Sequence, residues 1–243
     1  YSNENYHFAL GNTRYVIRLP GLKQAHHDRH FEKTLRLALP GKLTPPAVAE
    51  DVERGVLITS YIDAPLLIDQ SPVQEQLISL FRDLTLNLTH LPQAVVGRTY
   101  NPYAMSGEYM KGCDIPGAVR ELLNRTWHPQ NVTLCHNDLN PWNVLVLPDG
   151  EFMLLDWEMA GLNDPVFDMV TLIEGLQRES SEVADLYERV FDQPLNPQRL
   201  SACQIAFWLR EYAWAAGQLK AGNVREGIAA QHVTAYTRLQ ALM

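Results

Sequence analysis

Apolar and polar residues alternate along Tyr6-His7-Phe8-Ala9-Leu10 and again along Arg14-Tyr15-Val16-Ile17-Arg18-Leu19. Gly11-Asn12 lies between them as a two-residue turn signal, so the pattern predicts a β-hairpin that Pro20-Gly21 ends. From His26 to Leu39 the apolar spacing becomes helical and stops at Pro40-Gly41. Val56 to Ile62 is a run of β-branched and apolar residues, which predicts a third strand. Beyond Asp63 the pattern changes to helices. Ser71-Pro72 opens one, with Ser as N-cap, Pro at the first helical position and Gln74 following, and it runs to about Leu91. Residues 92–114 are rich in Gly, Pro and Tyr and predict an irregular excursion; Ile115 to Trp127 again predicts a helix. Asn143–Leu147 and Glu151–Asp156 flank Pro148-Asp149-Gly150 and predict a second hairpin. Three or four helices follow from Pro165 to the end. The expectation is an α+β protein with a β-rich lobe over residues 1–62, a hinge near Ser60–Ala64 and a larger helical lobe over residues 63–243.

Composition narrows the classes. Of 243 residues, 46% are hydrophobic and 20% charged, which excludes a disordered chain, a collagen or a coiled coil. No apolar run approaches the ~18 residues of a membrane span, so no membrane association is expected. A net charge of -8 disfavours nucleic-acid binding and mildly favours cationic ligands. Cys113, Cys135 and Cys203 form no CxxC pair and read as reduced core thiols of a cytoplasmic protein.

The strongest chemical signal is Cys135-His136-Asn137-Asp138-Leu139-Asn140-Pro141-Trp142-Asn143, followed thirteen residues later by Asp156 and then Trp157-Glu158. The hairpin between them brings Asp138, Asn143 and Asp156 to one end. A carboxylate with an amide oxygen is an oxygen-only donor set that suits Mg²⁺, and a second carboxylate nearby can take a proton. Those are the parts that phosphoryl transfer needs.

These residues resemble the aminoglycoside phosphotransferase and choline kinase superfamily, most of all bacterial choline, ethanolamine and thiamine kinases. The resemblance implies a protein-kinase-like bilobal fold and an ATP- and Mg²⁺-dependent transfer to an alcohol. On that likeness Asp138 is the catalytic base, and Asn143 and Asp156 are the metal ligands. Arg18 stands where protein kinases carry a phosphate-binding lysine, and Glu32 matches its helical partner. Ser60, Tyr61 and Ile62 fall at the adenine-binding hinge. Ser2-Asn3-Glu4-Asn5-Tyr6 resembles the end of the phosphate loop, so the likeness places the start of the chain inside that loop and Asn3 near the nucleotide. His136 and Asp168 are expected to support the catalytic loop. Glu158 is left between touching metal or substrate and capping the next turn.

The acceptor is read from a late helix, Phe207-Trp208-Leu209-Arg210-Glu211-Tyr212-Ala213-Trp214. Phe207, Glu211, Trp214 and Gln218 share one face at helical spacing, flanked by Trp208 and Tyr212. A carboxylate among aromatic rings suits an alkylammonium or thiazolium cation, and the same stripe also fits plain core packing. Glu211, Tyr212 and Trp214 are the candidate acceptor residues. Cys-His-Asn-Asp resembles the choline kinase form of the motif, whereas aminoglycoside kinases usually have His-Gly-Asp. The expected activity is phosphorylation of choline, ethanolamine or thiamine by a monomer or homodimer. An aminoglycoside or sugar-like acceptor and a non-catalytic kinase-like binding protein are the alternatives.

Overall fold

A computed structural model describes residues 3–21, 28–91 and 97–243. The first hairpin forms over β1 (Asn3–Leu10) and β2 (Thr13–Pro20), with Tyr6 opposite Ile17. Its turn places Gly11 at φ 61°, a conformation that glycine adopts without strain. The sheet holds four strands rather than three. β3 (Ala47–Asp51) pairs antiparallel with β4 (Val56–Ser60), in the order β1-β2-β4-β3. Ala-Val-Ala-Glu-Asp carries too few branched side chains to announce a strand, and pairing with β4 supplies what propensity does not. β4 stops at Ser60, two residues short of the expected end.

α1 (Arg29–Ala38) starts where the Asp28 carboxylate accepts the Phe31 N–H; the expected beginning at His26 lies outside the described residues. α1 turns Glu32 and Leu35 inward. α2 spans Gln74–Thr89 and Ser71 does not cap it. Val73 occupies the N-cap, and Gln76 reaches back to accept the Val73 N–H at 3.0 Å. The excursion at 92–114 is not wholly irregular, because α3 (Pro102–Tyr109) forms within it. Asn101 caps α3 by accepting from Tyr103 and Ala104, and Pro102 supplies a first residue that needs no donor. Residues 92–96 of that segment lie outside the described residues. α4 (Gly117–Leu123) is shorter than the expected helix at both ends.

β5 (Thr133–Cys135) pairs with β8 (Gly161–Asn163), and β6 (Val144–Val146) pairs with β7 (Phe152–Leu154). Four helices follow: α5 (Pro165–Gly175), α6 (Ser181–Phe191), α7 (Pro197–Lys220) and α8 (Glu226–Leu242). α5 is the centre of the core, with every residue from Pro165 to Ile173 buried. At 24 residues α7 extends about 36 Å and packs on α3, α5 and α8. Cys135 and Cys203 are buried free thiols, whereas Cys113 is only half-buried. Among the described residues no helix is long and apolar enough to cross a membrane.

α3 and α7 approach so closely that glycine is required between them. A Cβ on Gly217 lies 2.6 Å from the Tyr109 carbonyl oxygen. In an open helix Gly→Ala gains about 1 kcal/mol. Here overpacking reverses the sign, and Gly217→Ala is expected to destabilise by about 1–3 kcal/mol. Urea unfolding reads this directly, and a stabilised variant would show that the two helices stand further apart.

Candidate active site

β5 delivers the chain to His136 and Asn137, and α5 determines its path there. One oxygen of Asp168 accepts the His136 N–H and the other the Asn137 N–H, both at 2.7 Å. Asn137 then takes a left-handed conformation, φ 63°. Its amide donates to the Met159 and Gly161 carbonyls, each at 3.1 Å, and its side-chain oxygen accepts from Asn163 at 2.8 Å. His136 is fully buried against Trp157, with ring centroids 4.7 Å apart. Its Nδ1 receives the Asp138 N–H at 3.3 Å and its Nε2 faces the Leu155 carbonyl at 2.9 Å, which assigns the proton to Nε2.

The loop leaves Asp138 with its side chain one-third exposed. The Asn143 amide donates to the Asp138 carbonyl at 3.0 Å and to its Oδ2 at 3.2 Å. Both Asn143 donors are committed, which leaves Asn143 Oδ1 as an acceptor. The Leu155 N–H bonds the Asn143 carbonyl at 2.8 Å and brings the next residue, Asp156, to the same end of the β6–β7 hairpin. Asp156 also adopts a left-handed conformation, φ 60°.

From the sheet, Arg18 forks both oxygens of Glu32 at 2.6 and 2.7 Å and donates to Asp156 Oδ1 at 3.0 Å. Burial works against the Arg18 charge, and Glu32, Asp156 and Glu158 outweigh it, so its pKa is raised. Burial, and then the Glu158 carboxylate, push the Asp156 carboxyl well above the usual range, while Arg18 pulls it back. Glu158 does not continue a strand. Trp157–Met159 is a single 3-10 turn that buries it, and its Oε2 accepts from Asn3 Nδ2 at 2.8 Å with Arg29 Nη1 at 3.9 Å. Asn3 thus lies beside Arg29, Glu32 and Glu158 at the lip of the sheet.

Among the described residues no three His, Cys, Asp or Glu side chains gather as a metal site. The donor set nevertheless fits Mg²⁺. One carboxylate and one free amide oxygen are what an ion that keeps waters and binds phosphate asks of a protein, and a carboxyl pushed up beside other acids exchanges its proton for a cation.

On α7 the expected stripe divides. Phe207, Tyr212 and Gln218 are buried, while Glu211, Trp214 and Trp208 are half-buried. Tyr212 packs on His232 and Tyr236 of α8. Two residues at the site have contacts that the sequence does not signal. Asn137 marks the choline kinase form of the motif but not its role in tying the loop to β8, and Arg210 passes for a polar position between aromatics.

A model of the phosphotransferase enzyme family matches residues 1–203. The chain belongs to that family. It is a phosphotransferase, and Asp138, Asn143 and Asp156 lie inside the matched span. Protein LicA of Haemophilus influenzae is 26% identical over 222 residues, covering 84% of this chain and 82% of the relative. Choline kinase LicA from Streptococcus pneumoniae superposes with a TM-score of 0.78 at 19% identity, covering 98% of this chain and 89% of that one. A choline/ethanolamine kinase family protein from Mesorhizobium loti gives 0.67 at 18% identity over 100% and 89%. A spectinomycin phosphotransferase gives 0.61 at 11% identity over 99% and 85%. The family resemblance read from the motif, and the α+β kinase-like fold it implied, hold.

The buried imidazole sets a pH dependence. Burial lowers the His136 pKa below its ordinary 6.5, against Asp138 and the Leu155 carbonyl, which raise it. The unfolded chain therefore takes up a proton before the folded one does. The stability contributed by neutral His136 is complete above pH 6.5 and is lost as pH falls through the folded value, by at most about 1.4 kcal/mol per pH unit. Asp168, pushed up to about 7 by burial against its two backbone donors, acts in the opposite sense and is common to wild type and variant. The stability gap between wild type and His136→Gln is expected to narrow from pH 7.5 to 5.5 in urea titrations. A constant gap means that folding leaves the ring's affinity for its second proton unchanged, and a gap that widens as pH falls means that the fold holds the charged ring.

Proposed function

We propose that this phosphotransferase uses ATP and magnesium to phosphorylate the hydroxyl of a small cationic alcohol, with choline or ethanolamine first among candidates. The observation that carries the reading is the convergence of Asp138, Asn143 and Asp156 with the Arg18–Glu32 pair at one edge of the sheet. Relatives named as choline and ethanolamine kinases, and one solved structure of LicA with AMP, support the nucleotide and the acceptor class.

Asn143 Oδ1 and the Asp156 carboxylate would hold the metal ion, which supplies charge neutralisation on the phosphates. Arg18, oriented by Glu32, adds a fixed positive charge on the other side. The Ser60 and Tyr61 N–H groups bond the Pro46 and Arg14 carbonyls, so an adenine at the hinge meets the neighbouring groups, those of Ile62 among them. Asp138 takes the acceptor's proton as its oxygen bonds the γ-phosphorus. The bond from that phosphorus to the bridging oxygen breaks, and ADP leaves with the pair of electrons. The partly exposed Asp138 carboxylate and the half-buried ring of Trp214 favour a cation at the acceptor side, while Glu211 is already paired with Arg210 at 2.8 Å. Nothing in this scheme requires more than one copy of the chain, and a cytoplasmic location supplies both nucleotide and magnesium.

An ADP-release assay with choline, ethanolamine, thiamine, methylthioribose and kanamycin tests the substrate class. Turnover of choline or ethanolamine is expected, and turnover of kanamycin alone replaces the reading with the aminoglycoside one. Asp138→Asn is expected to lower kcat by about 10²–10⁴-fold, the usual worth of a general base, with ATP binding unchanged. Activity within a few-fold of wild type removes Asp138 from the chemistry. Trp214→Ala is expected to weaken the cation by about 0.5–2 kcal/mol in KM and leave the KM for ATP alone. Equal losses for both substrates with a lowered melting temperature assign Trp214 to packing.

A further inference from the structure

α7 carries a buried arginine near its middle to which the scheme above gives no role. Arg210 is 4% exposed. Its Nη1 donates to the backbone carbonyl of Asn137, and its Nη2 lies 3.5 Å from Asp138 Oδ1. The same Nη2 and the Nε donate to Glu211 Oε1 at 2.8 and 3.1 Å. The other Glu211 oxygen accepts from Gln231 Nε2 of α8 at 2.6 Å. Phe167 and Phe207 cover the guanidinium, with ring centroids 5.3 and 5.5 Å from Cζ.

A leucine or methionine fills such a volume without the desolvation cost of a charge, so packing alone does not account for this residue. Its directed contacts do. One arm holds the carbonyl of the left-handed Asn137 and another faces one oxygen of Asp138. Asn143 donates to the opposite oxygen, so the plane of the Asp138 carboxylate is fixed from both sides. A planar fork can divide itself in this way between two acceptors, and a lysine, a point charge, can meet only one at a time. The guanidinium also offsets the Asp138 charge where anionic phosphates must approach.

We propose that Arg210 is the positioning residue of the catalytic loop, and that Gln231 of the C-terminal helix acts on the loop through Glu211 and Arg210. The inference rests on the reading of Asp138 as the base. It extends the machinery to α8, a helix that touches neither phosphate nor acceptor in that reading.

Hydrogen exchange, kinetics and melting of Arg210→Gln, Arg210→Lys and Gln231→Ala test it. In Arg210→Gln, exchange at residues 136–140 is expected to rise about tenfold or more while the four-stranded sheet keeps its protection. The kcat is expected to fall about 10²-fold, as for a reacting group displaced by an ångström, with the KM for ATP within twofold of wild type. Arg210→Lys should recover part of the kcat. Gln231→Ala should lower kcat several-fold and loosen the same loop at a near-wild-type melting temperature. If Arg210→Gln does not fold, the other two variants decide. Wild-type kcat and loop protection in both Arg210→Lys and Gln231→Ala overturn the proposal. So does exchange that rises throughout the protein in proportion to lost stability. The exchange measurement needs no acceptor. A wild-type protein that phosphorylates none of the alcohols therefore defeats the functional reading, while loop protection still decides the role of Arg210.

Discussion

Everything at the site depends on a single carboxylate holding two consecutive backbone amides. Asp168 accepts from His136 and Asn137, and that grip turns the chain through a left-handed residue and aims Asp138 outward. A non-glycine residue in that conformation costs on the order of 1 kcal/mol or more. The Asn137 side chain offsets the cost by bonding the turn after Asp156 and the neighbouring strand β8. The same grip explains why α5 is the most deeply buried helix. It must be immobile to serve as the post to which the loop is tied, and nine consecutive buried residues make it so.

The second organising feature is the joining of sheet to helical region by charge. Arg18 reaches from β2 to Asp156, and Asn3 reaches from β1 to Glu158. Two further ties lie beside them, the Leu154 N–H on the Leu43 carbonyl and Lys42 on Glu151. An apolar seam would join the two parts as well, but without a preferred register. Buried forks and amides join them at one register, and at that register Arg18 faces Asp156.

The parts of the site carried by spacing were legible in the sequence, and the parts carried by contact were not. His136, Asp138, Asn143 and Asp156 occupy one loop and one hairpin, so counting residues is enough to bring them together. Arg18 and Glu32 could be paired only through resemblance, and the structure does bring them into contact. Arg210 was invisible because a helix carrying Phe, Trp, Tyr and Trp within eight residues reads as a stripe, and an arginine within it reads as the polar side. Its partner Asn137 is 73 residues away, and no local pattern encodes that distance. The fold failed to read in similar places. β3 has the composition of a loop, and α3 hides in a segment whose Gly, Pro and Tyr content outweighed the capping signal of Asn101-Pro102. Ser71-Pro72 erred in the other direction, a good capping pair displaced by Gln76 folding back on Val73.

The contacts that shape the loop from His136 to Asn143 grip backbone more than side chains. Asp168 holds two amides, Arg210 a carbonyl, His136 the Asp138 amide and the Leu155 carbonyl, and Asn137 two further carbonyls. Every amino acid but proline brings the same amide and carbonyl, so these grips survive replacement of the residues they hold. Trp142, an exposed side chain whose backbone amide is what Asn140 Oδ1 holds, can therefore change while the loop keeps its path. A frame tied by backbone places the burden of inheritance on a few residues that hold and frees the many that are held. That is one physical route by which a fold persists among relatives sharing a fifth or less of their residues with this chain.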